Sequence, residues 1–471
     1  MKKKFFVFLL LSLSHFVFAA SSDTASSTTE FPDPVKFPLP VGYKPNVDFW
    51  MRVYGEWTDD EMVIHDSENM GIVFDVVQIP DENELLRVAA RAKLRERVDE
   101  IQRILLELDR DPQARSKSTE HQKIYDLYAN ISDSGKFREA ASNVRVQQGI
   151  KTRFHRGLEQ MTLYLKQIKS VFREEGLPEE LAYLPLVESS FNNVALSKTR
   201  AAGIWQFMSG TARIFGMSVN SDLDERLDPI AATHGAAQYL KRSYTLFGNW
   251  PVAIMSYNHG QQGMLNAVET LGSRDFMRIV SGYSGRQFGF ASRNFYGEFL
   301  AACKVMNDAE KYFGTIDYQR ALVSDSIRLA HPLWVSSLLN HSNLTREDLR
   351  AHNPALQSSV IFSKRPIPSG YQLRLPAGKF SDLPGFVAQL RTSEPAAPSL
   401  AAATSRAPKK TSRSAKTQRA SASAKTYVVR RGDTLFSISR KFSTRVEDIR
   451  RWNGLSENHI FPGQRLLLSS R

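Results

Sequence analysis

The chain has 471 residues, of which 42% are hydrophobic and 24% are charged, and its formal net charge is +13. This length is enough for two to four domains, and the composition excludes a disordered or fibrous protein. The excess of positive charge indicates an anionic partner. The only cysteine is Cys303, which excludes an intramolecular disulfide.

The first segment, residues 1–20, is predicted to be a secretory signal. The basic start MKKK precedes the apolar stretch FFVFLLLSLSHFVF and the small-residue cleavage site Val17-Phe18-Ala19. The apolar stretch is short for a bilayer span, and no later stretch approaches about 18 apolar residues. We therefore expect no membrane span after signal removal, with a retained N-terminal anchor as the alternative. The cleavage site has no neighbouring cysteine, so we expect no lipid modification.

Two regions follow the signal. Residues 21–82 are predicted to be extended, with two short strands in EMVIHDSENMGIVFDVV around a polar turn. Residues 83–172 are predicted to be helical, because LLRVAARAKLRERVDEIQRILLEL repeats apolar residues at helical spacing. A second helix runs through RFHRGLEQMTLYLKQIKSVFREE and stops at Gly176-Leu177-Pro178. We interpret this region as a helical scaffold.

Residues 173–315 are predicted to form the domain that carries the chemistry. This part is helical and rich in Tyr, Trp, Phe and Gly, with turn residues between short helical runs. Within PEELAYLPLVESSF, Glu188 falls on the same helix face as Leu184 and Val187. Burial without a cationic partner would raise the pKa of this carboxyl and let it act as a general acid. The alternative is a glutamate at the rim of the face that backbone amides satisfy.

The rest of the chain is predicted to contain a repeated small unit. Residues 426–470 read as strand, helix, helix and strand, and residues 316–378 follow the same plan as a diverged copy. In this comparison Asn353 corresponds to Asn453. Residues 393–425, which are rich in Ser, Ala, Lys and Arg, are predicted to be a flexible basic linker.

Motifs in the predicted catalytic domain resemble those of the lytic transglycosylases, whose catalytic domain is similar to goose-type lysozyme. The motifs VESSF, SKTRAAGIWQF, SYNHG and SRNFY occur in the family's order. The resemblance implies that Glu188 is the catalytic acid and base. It implies substrate contacts by Ser189, Ser197, Gln206, Tyr257, Asn258 and Tyr296.

The motifs depart from the family pattern at three positions. Trp205 stands where methionine is usual, and Ser256 precedes the Tyr-Asn pair in place of alanine. In SRNFY, Phe295 occupies the position of the expected tyrosine and Tyr296 follows it. Either a shifted helix supplies Tyr296 to the site, or the role of this tyrosine is absent.

The segment YVVRRGDTLFSIS and the ending WNGL…FPGQRLLL resemble a LysM module, which binds glycans that contain N-acetylglucosamine. By the family pattern, the sugar contacts come from the loop after the first strand and the loop after the second helix. The residues that this implies are Gly432, Asp433, Thr434, Leu435, Ile460 and Pro462. A module that only spaces the enzyme is the alternative.

The two resemblances imply a mainly α protein, with a lysozyme-like helical catalytic domain, a helical N-terminal region and small β-α-α-β LysM modules. They imply cleavage of peptidoglycan between N-acetylmuramic acid and N-acetylglucosamine without water, in the periplasm or cell envelope. The alternatives are a hydrolytic muramidase of the same fold and a catalytically weak wall-binding scaffold. We expect peptidoglycan strands as partner, with other cell-wall enzymes as further candidates and no nucleic acid. We expect no cofactor and no metal, because the ten histidines lack zinc-binding spacing.

Overall fold

A computed structural model describes residues 31–80, 84–392, 426–429, 446–453 and 464–468, together with Leu435, Ile438, Ser439, Phe442, Thr444, Leu455 and Ile460. The chain divides into two units, residues 1–395 and residues 396–471. The predicted signal and the predicted linker lie outside the described residues. None of the described helices combines the length and the hydropathy that crossing a bilayer requires.

The N-terminal part of the first unit is a small sheet covered by helices. Strand β1 lies in the middle of an antiparallel sheet of order β2-β1-β3. Ile64 and Phe74 of this sheet pack against Ile101 and Leu105 of the long helix α2. The elements are α1 (Lys44–Gly55), β1 (Glu61–Asp66), β2 (Val73–Gln78), α2 (Glu84–Arg110), a 3-10 helix (Pro112–Lys117), α3 (Thr119–Leu127), α4 (Lys136–Asn143) and β3 (Val144–Gln148).

Three features of this part differ from the sequence expectation. Helix α1 lies in the region predicted to be extended, because it buries Val47, Trp50 and Val53 against the rest of the fold. Strand β3 lies in the region predicted to be helical, because its backbone pairs with β1. In α2 the apolar face is only half covered: the second half is buried, whereas Val88 is 54% exposed.

The middle of the first unit is a helical domain built around one long helix, α13. Its hydrophobic core also includes Phe37, Trp50 and Tyr54, so the N-terminal segment and α1 share one core with the predicted catalytic domain. The elements are α5 (Lys151–Met161), α6 (Leu165–Glu174), a 3-10 helix (Glu179–Tyr183), α7 (Leu184–Glu188), α8 (Ser209–Ile214), a 3-10 helix (Glu225–Leu227), α9 (Pro229–Phe247), α10 (Trp250–His259), α11 (Gln261–Leu271), α12 (Phe276–Gly282), α13 (Phe290–Asn307) and α14 (Ala309–Phe313).

Side-chain caps fix the ends of the helices that carry the site. Asp228 accepts hydrogen bonds from the amides of Ile230 and Ala231 at the start of α9, and Gly248 in the left-handed region ends this helix. Asn249 then caps α10 through the amide of Val252. The two helices therefore meet at a sharp corner, and α10 packs against both α9 and α13.

The end of the first unit has its own hydrophobic core. Strands β4 (Ser324–Arg328) and β5 (Gln372–Pro376) pair antiparallel, and the helices of this part share a hydrophobic core with them. Thr345 and Asp348 form a reciprocal capping box at the start of the central helix. The helices are α15 (Val335–Asn340), α16 (Arg346–His352), α17 (Ser358–Ile361) and α18 (Leu383–Thr392).

The second unit contains strands Thr426–Val428 and Arg465–Leu467, which pair antiparallel, and a helix over Val446–Asn453. Both small units hold one asparagine in the same way. The side-chain nitrogen of Asn353 donates to the backbone carbonyl oxygens of Leu349 (3.0 Å) and Arg374 (2.7 Å). Its side-chain oxygen accepts from the backbone amide of Arg374 (2.9 Å). The side-chain nitrogen of Asn453 likewise donates to the backbone carbonyl oxygens of Ile449 (2.7 Å) and Leu467 (2.8 Å). Its side-chain oxygen accepts from the backbone amide of Leu467 (2.8 Å). Each asparagine therefore ties the end of a helix to the last strand of its unit.

We predict that Asn353→Ala lowers the free energy of unfolding of the first unit by about 2–4 kcal/mol, because it leaves buried backbone groups without partners. Asn353 is fully buried. Thermal or urea unfolding of the full chain measures the loss. Asn340→Ala, at an exposed position of α15, is the control and should change stability by no more than about 0.5 kcal/mol. Equal effects of the two variants would contradict the role assigned to Asn353.

Candidate active site

Glu188 is the last residue of α7, at a point where the chain turns sharply. Pro185 is the second residue of this short helix, and Ser190 and Phe191 after it both have positive φ, 50° and 55°. Such conformations cost energy for residues other than glycine and persist only when the surroundings enforce them. Helix α5 comes so close here that a side chain at Gly157 would lie 2.9 Å from the Ser190 carbonyl oxygen. The turn keeps Glu188 at a fixed place with part of its side chain exposed.

The surroundings of Glu188 favour its neutral form. Burial, together with the nearby carboxyl of Glu298 as the smaller cause, raises the pKa of Glu188 to about 8. No cation contributes to this shift. At neutral pH the Glu188 carboxyl is therefore mostly protonated, as a general acid must be before it acts.

Glu298 is a second carboxyl at the site, which the sequence analysis missed. It lies on α13, which packs against α7, and burial raises its pKa to about 8. Tyr54 of α1 interacts with Glu298, and this interaction lowers the pKa of Glu298 and so partly opposes the effect of burial. The sequence did offer a signal for Glu298: it is the single charged residue among the apolar and small residues of NFYGEFLAA, a stretch whose composition is typical of a buried helix.

Tyr257 lies beside Glu188 and is held in place on both sides. Its hydroxyl donates to the Trp205 carbonyl oxygen at 2.9 Å, and its ring stacks on Phe295 with 6.5 Å between centroids. Burial raises the pKa of the Tyr257 phenol well above its usual range, and the Glu188 charge adds to the effect. The phenol therefore stays protonated over the whole neutral range.

The segment between α7 and α8 is tied to Glu188 through Ser189. The Ser189 hydroxyl donates to the Ile204 carbonyl oxygen at 2.9 Å. Only glycine fits at position 203, where φ is +78° and a β-carbon would lie 1.7 Å from the Arg226 carbonyl oxygen. Gln206 also has a positive φ of 49°, and its amide donates to the Gly203 carbonyl oxygen at 2.8 Å.

Ser197 and Asn258 lie on the more open side of the site. The Ser197 hydroxyl accepts from the Ala201 amide at 2.8 Å, and it lies 3.0 Å from the Thr199 hydroxyl. Asn258 is exposed at the end of α10, and its side-chain oxygen accepts from the Ser292 hydroxyl at 2.8 Å. Both side chains thus have defined positions and remain within reach of solvent.

Tyr296 does not lie beside Tyr257. It is fully buried against Phe276 and Phe299, and its hydroxyl donates to the Pro38 carbonyl oxygen at 2.8 Å. Phe295 occupies the place beside Tyr257 instead, because consecutive residues of a helix point in directions about 100° apart. Of the two alternatives for the motif SRNFY, the structure therefore favours the second: Tyr296 does not reach the site, and the motif supplies no tyrosine hydroxyl there.

Among the residues implied for the LysM site, Gly432, Asp433, Thr434 and Pro462 lie outside the described residues. Leu435 is 2% exposed and belongs to the core of the second unit, and Ile460 packs against that core. Both therefore contribute to packing. Within the described part of the chain, no group of three or more His, Cys, Asp or Glu side chains could hold a metal ion.

Comparisons with known proteins agree with these motifs. The family described as Transglycosylase SLT domain matches residues 168–279, and the family described as LysM domain matches residues 427–469. Membrane-bound lytic murein transglycosylase D of Escherichia coli (strain K12) is 27% identical over 358 residues, which cover 73% of each protein. Cell wall-binding protein YocH of Bacillus subtilis (strain 168) is 43% identical over 51 residues, 11% of this chain and 18% of that protein.

Among solved structures, the 70 kDa soluble lytic transglycosylase SLT70 of Escherichia coli aligns with a TM-score of 0.27 and 22% identity, over 34% of this chain and 27% of that chain. The predicted fold class, mainly α with a small α/β module, is confirmed. The match to the SLT domain contains Glu188, Gln206 and Tyr257, and the LysM match contains the strand-to-strand unit except its first residue, Thr426. The chain therefore carries a transglycosylase SLT domain followed by a LysM domain, and it is similar to membrane-bound lytic murein transglycosylase D over 73% of its length.

Proposed function

We propose that this protein cleaves the β-1,4 bond between N-acetylmuramic acid and N-acetylglucosamine in peptidoglycan, without water, and leaves 1,6-anhydromuramyl ends. The observation that carries the proposal is Glu188, a partly exposed residue of the SLT domain whose carboxyl is mostly protonated at neutral pH because burial raises its pKa. Such a group can protonate a leaving oxygen, which is the first requirement for breaking a glycosidic bond.

In the proposed reaction Glu188 first gives its proton to the glycosidic oxygen. The bond between the anomeric carbon and that oxygen breaks, and N-acetylglucosamine leaves with a free hydroxyl. The C6 hydroxyl oxygen of the same muramic acid then bonds to the anomeric carbon, and the Glu188 carboxylate takes the C6 proton. Glu188 ends the cycle protonated again, and no other reactant is consumed.

Glu298 supports the lyase over the hydrolytic alternative. An inverting hydrolase needs a second carboxylate that is ionised so that it can activate water. Burial raises the pKa of Glu298 to about 8 even though the Tyr54 interaction lowers it, so most Glu298 carboxyls carry no charge at pH 7. A nucleophile that the sugar supplies itself removes the need for such a base.

The roles of the other site residues follow from their bonds. Tyr257 and Ser189 fix the surroundings of Glu188, since each is bound to the backbone of the 204–205 segment. We propose that Ser197, Gln206 and Asn258 contact the sugar, with Ser197 binding the N-acetyl group of muramic acid. Tyr296 contributes to the core rather than to sugar binding, because its hydroxyl is already bound.

We further propose that the protein is exported to the periplasm or cell envelope and that its LysM domain binds the glycan. The segment 1–20 has the pattern of a secretory signal, and the basic linker would tether the catalytic domain to the polymer. Tethering raises the local concentration of the enzyme on its substrate without new contacts in the active site.

We predict that Glu188→Gln lowers the release of anhydromuropeptides from isolated sacculi by at least about 100-fold, because the amide cannot donate the required proton. Mass spectrometry of the soluble products measures the change. A lyase product is lighter by one water than the corresponding hydrolysis product, so the same spectra separate the two chemistries. Glu310→Gln, at an exposed position of α14, is the control and should keep full activity.

Retention of activity by Glu188→Gln would remove this residue from the proposed role. Products with an ordinary reducing end would establish the muramidase. If the wild type released nothing, the wall-binding scaffold would be the better description.

The rate should depend on pH through Glu188. Because the first step needs the protonated carboxyl, kcat/KM should fall as pH rises through about 8. Glu298→Gln removes one of the two influences that raise the pKa of Glu188, so the fall should move to lower pH. Profiles from pH 5 to pH 10 test both statements, and a Glu298→Gln profile that coincides with that of the wild type would contradict the coupling of the two carboxyls.

Glu188→Gln should also change how stability depends on pH. The pKa of Glu188 is raised from its ordinary 4.5 to about 8 on folding, so the folded protein binds this proton more tightly than the unfolded chain does. The free energy of unfolding that Glu188 contributes therefore falls as pH rises from about 4.5 to about 8. We expect the Tm of the variant to exceed that of the wild type increasingly over this window, as calorimetry can measure. A constant difference between the two proteins would argue against a buried acid.

A further inference from the structure

The segment 218–228 of the catalytic domain, here called the bracing loop, is built into the neighbouring small unit. Leu223 forms a backbone bridge with Leu356, and the Asp224 amide donates to the Ala355 carbonyl oxygen at 2.9 Å. In return the Gln357 amide donates to the Asp222 carbonyl oxygen at 2.9 Å. The Leu223 side chain, 7% exposed, packs in the core of the small unit and not in that of the catalytic domain.

Side chains hold the bracing loop at its tip and at its base. At the tip, Ser359 donates to the Ser221 carbonyl oxygen at 2.9 Å, and Arg365 pairs with Asp222 at 3.1 Å. At the base, Arg374 pairs with the buried carboxylate of Asp228, which also caps α9. Residues 355–374 of the small unit therefore grip the loop over its whole length.

The other side of the bracing loop touches the sugar-binding segment. Arg226 is 8% exposed, and Asp224 holds its guanidinium through two bonds of 2.8 and 2.7 Å. The guanidinium donates to the carbonyl oxygens of Arg200 (2.9 Å) and Phe207 (3.1 Å). The Arg226 carbonyl oxygen fills the space that a side chain at Gly203 would need.

This contact adds to the hydrogen bonds within the segment 197–207, such as that from the Ala202 amide to the Phe207 carbonyl oxygen at 3.1 Å, and it supports unusual backbone conformations there. Arg200 and Gln206 both have positive φ, 69° and 49°, which residues with a side chain rarely adopt. A strained segment persists only when its surroundings hold it. The carbonyl oxygens that Arg226 binds, at positions 200 and 207, enclose the Gly203–Gln206 motif.

In the 316–378 unit, the loop that corresponds to one of the two sugar-contacting loops of a LysM module is already bonded to the bracing loop. In the sequence resemblance, those contacts come partly from the loop after the second helix. In the 316–378 unit that loop begins after α16, and its backbone at positions 355 and 357 is already bonded to the bracing loop. A glycan strand would have to displace these bonds.

We propose that the 316–378 unit is a brace for the catalytic groove: it holds the bracing loop, and through Arg226 it fixes the 197–207 segment that lies against Glu188. Arg365 and Arg374 are then positioning residues, which act on the sugar-binding segment through the loop. The inference rests on the proposed function only for its kinetic readout. Its structural content is independent of the reaction.

The test uses three variants of the full chain. Ser359→Ala with Arg365→Ala frees the tip of the loop. Asp228→Asn with Arg374→Met frees the base and leaves no unpaired buried charge, since asparagine can still cap α9. Arg328→Ala is the control, because Arg328 donates to the Gly370 carbonyl oxygen of the same unit at 3.2 Å and is exposed.

Two measurements separate a brace from a merely stabilising unit. Hydrogen–deuterium exchange should show faster exchange of amides 200–207 in the tip and base variants, at temperatures where circular dichroism shows both folded. In the same variants kcat/KM on sacculi should fall at least about fivefold, because small displacements of sugar-binding groups cost rate. Arg328→Ala should change neither quantity, and sedimentation with sacculi should be equal for all four proteins.

Unchanged exchange at 200–207 in folded tip and base variants would overturn the proposal. A loss of sacculus binding with unchanged kcat/KM would also overturn it, and would make the unit a glycan-binding module. If the wild type yielded no anhydro product, the proposed function would fail, and the exchange experiment alone would decide whether the unit is a brace.

Discussion

Desolvation of the Glu188 carboxyl is the constraint on which the rest of the site depends. An isolated carboxyl in water would be ionised at neutral pH and could not donate a proton. Here α7 packs against α5 and α13, burial and the nearby Glu298 raise the pKa of Glu188 to about 8, and no cation compensates. The folded protein thus keeps the Glu188 carboxyl protonated at a pH where the unfolded chain would ionise it. This lowers the free energy of unfolding at neutral pH and provides the proton for catalysis.

The same requirement explains why the surroundings of Glu188 are fixed so firmly. A raised pKa helps catalysis only if the proton points to one place, and the turn after α7 supplies that direction through Ser190 and Phe191 in unusual conformations. Tyr257 and Ser189 anchor the neighbouring backbone at positions 204 and 205. Two hydrogen bonds, from Ser189 and from Tyr257, therefore hold the backbone near the strained turn.

The N-terminal part and the small unit extend this support outward. Helix α1 contributes Tyr54, which binds Glu298, so a segment far away in sequence reaches the acid through one intermediary. On the opposite side, the 316–378 unit holds the bracing loop through the ion pair of Arg374 with Asp228. A repeated module can acquire such a use because its core, tied by Asn353, folds by the same local bonds whether or not its surface binds sugar.

The sequence by itself determined the helical class, the two strands around Asp66, the asparagine shared by the small units, and Glu188 with Gln206 and Tyr257 in their order. These features are local, since periodicity, caps and motif spacing lie within short stretches. Only the tertiary structure decided that α1 joins the catalytic core, that Glu298 reaches Glu188, and that Phe295 rather than Tyr296 faces Tyr257. Each of these depends on which face of a helix meets a distant segment, and a rotation of one residue, about 100°, is enough to exchange a site residue for a core residue.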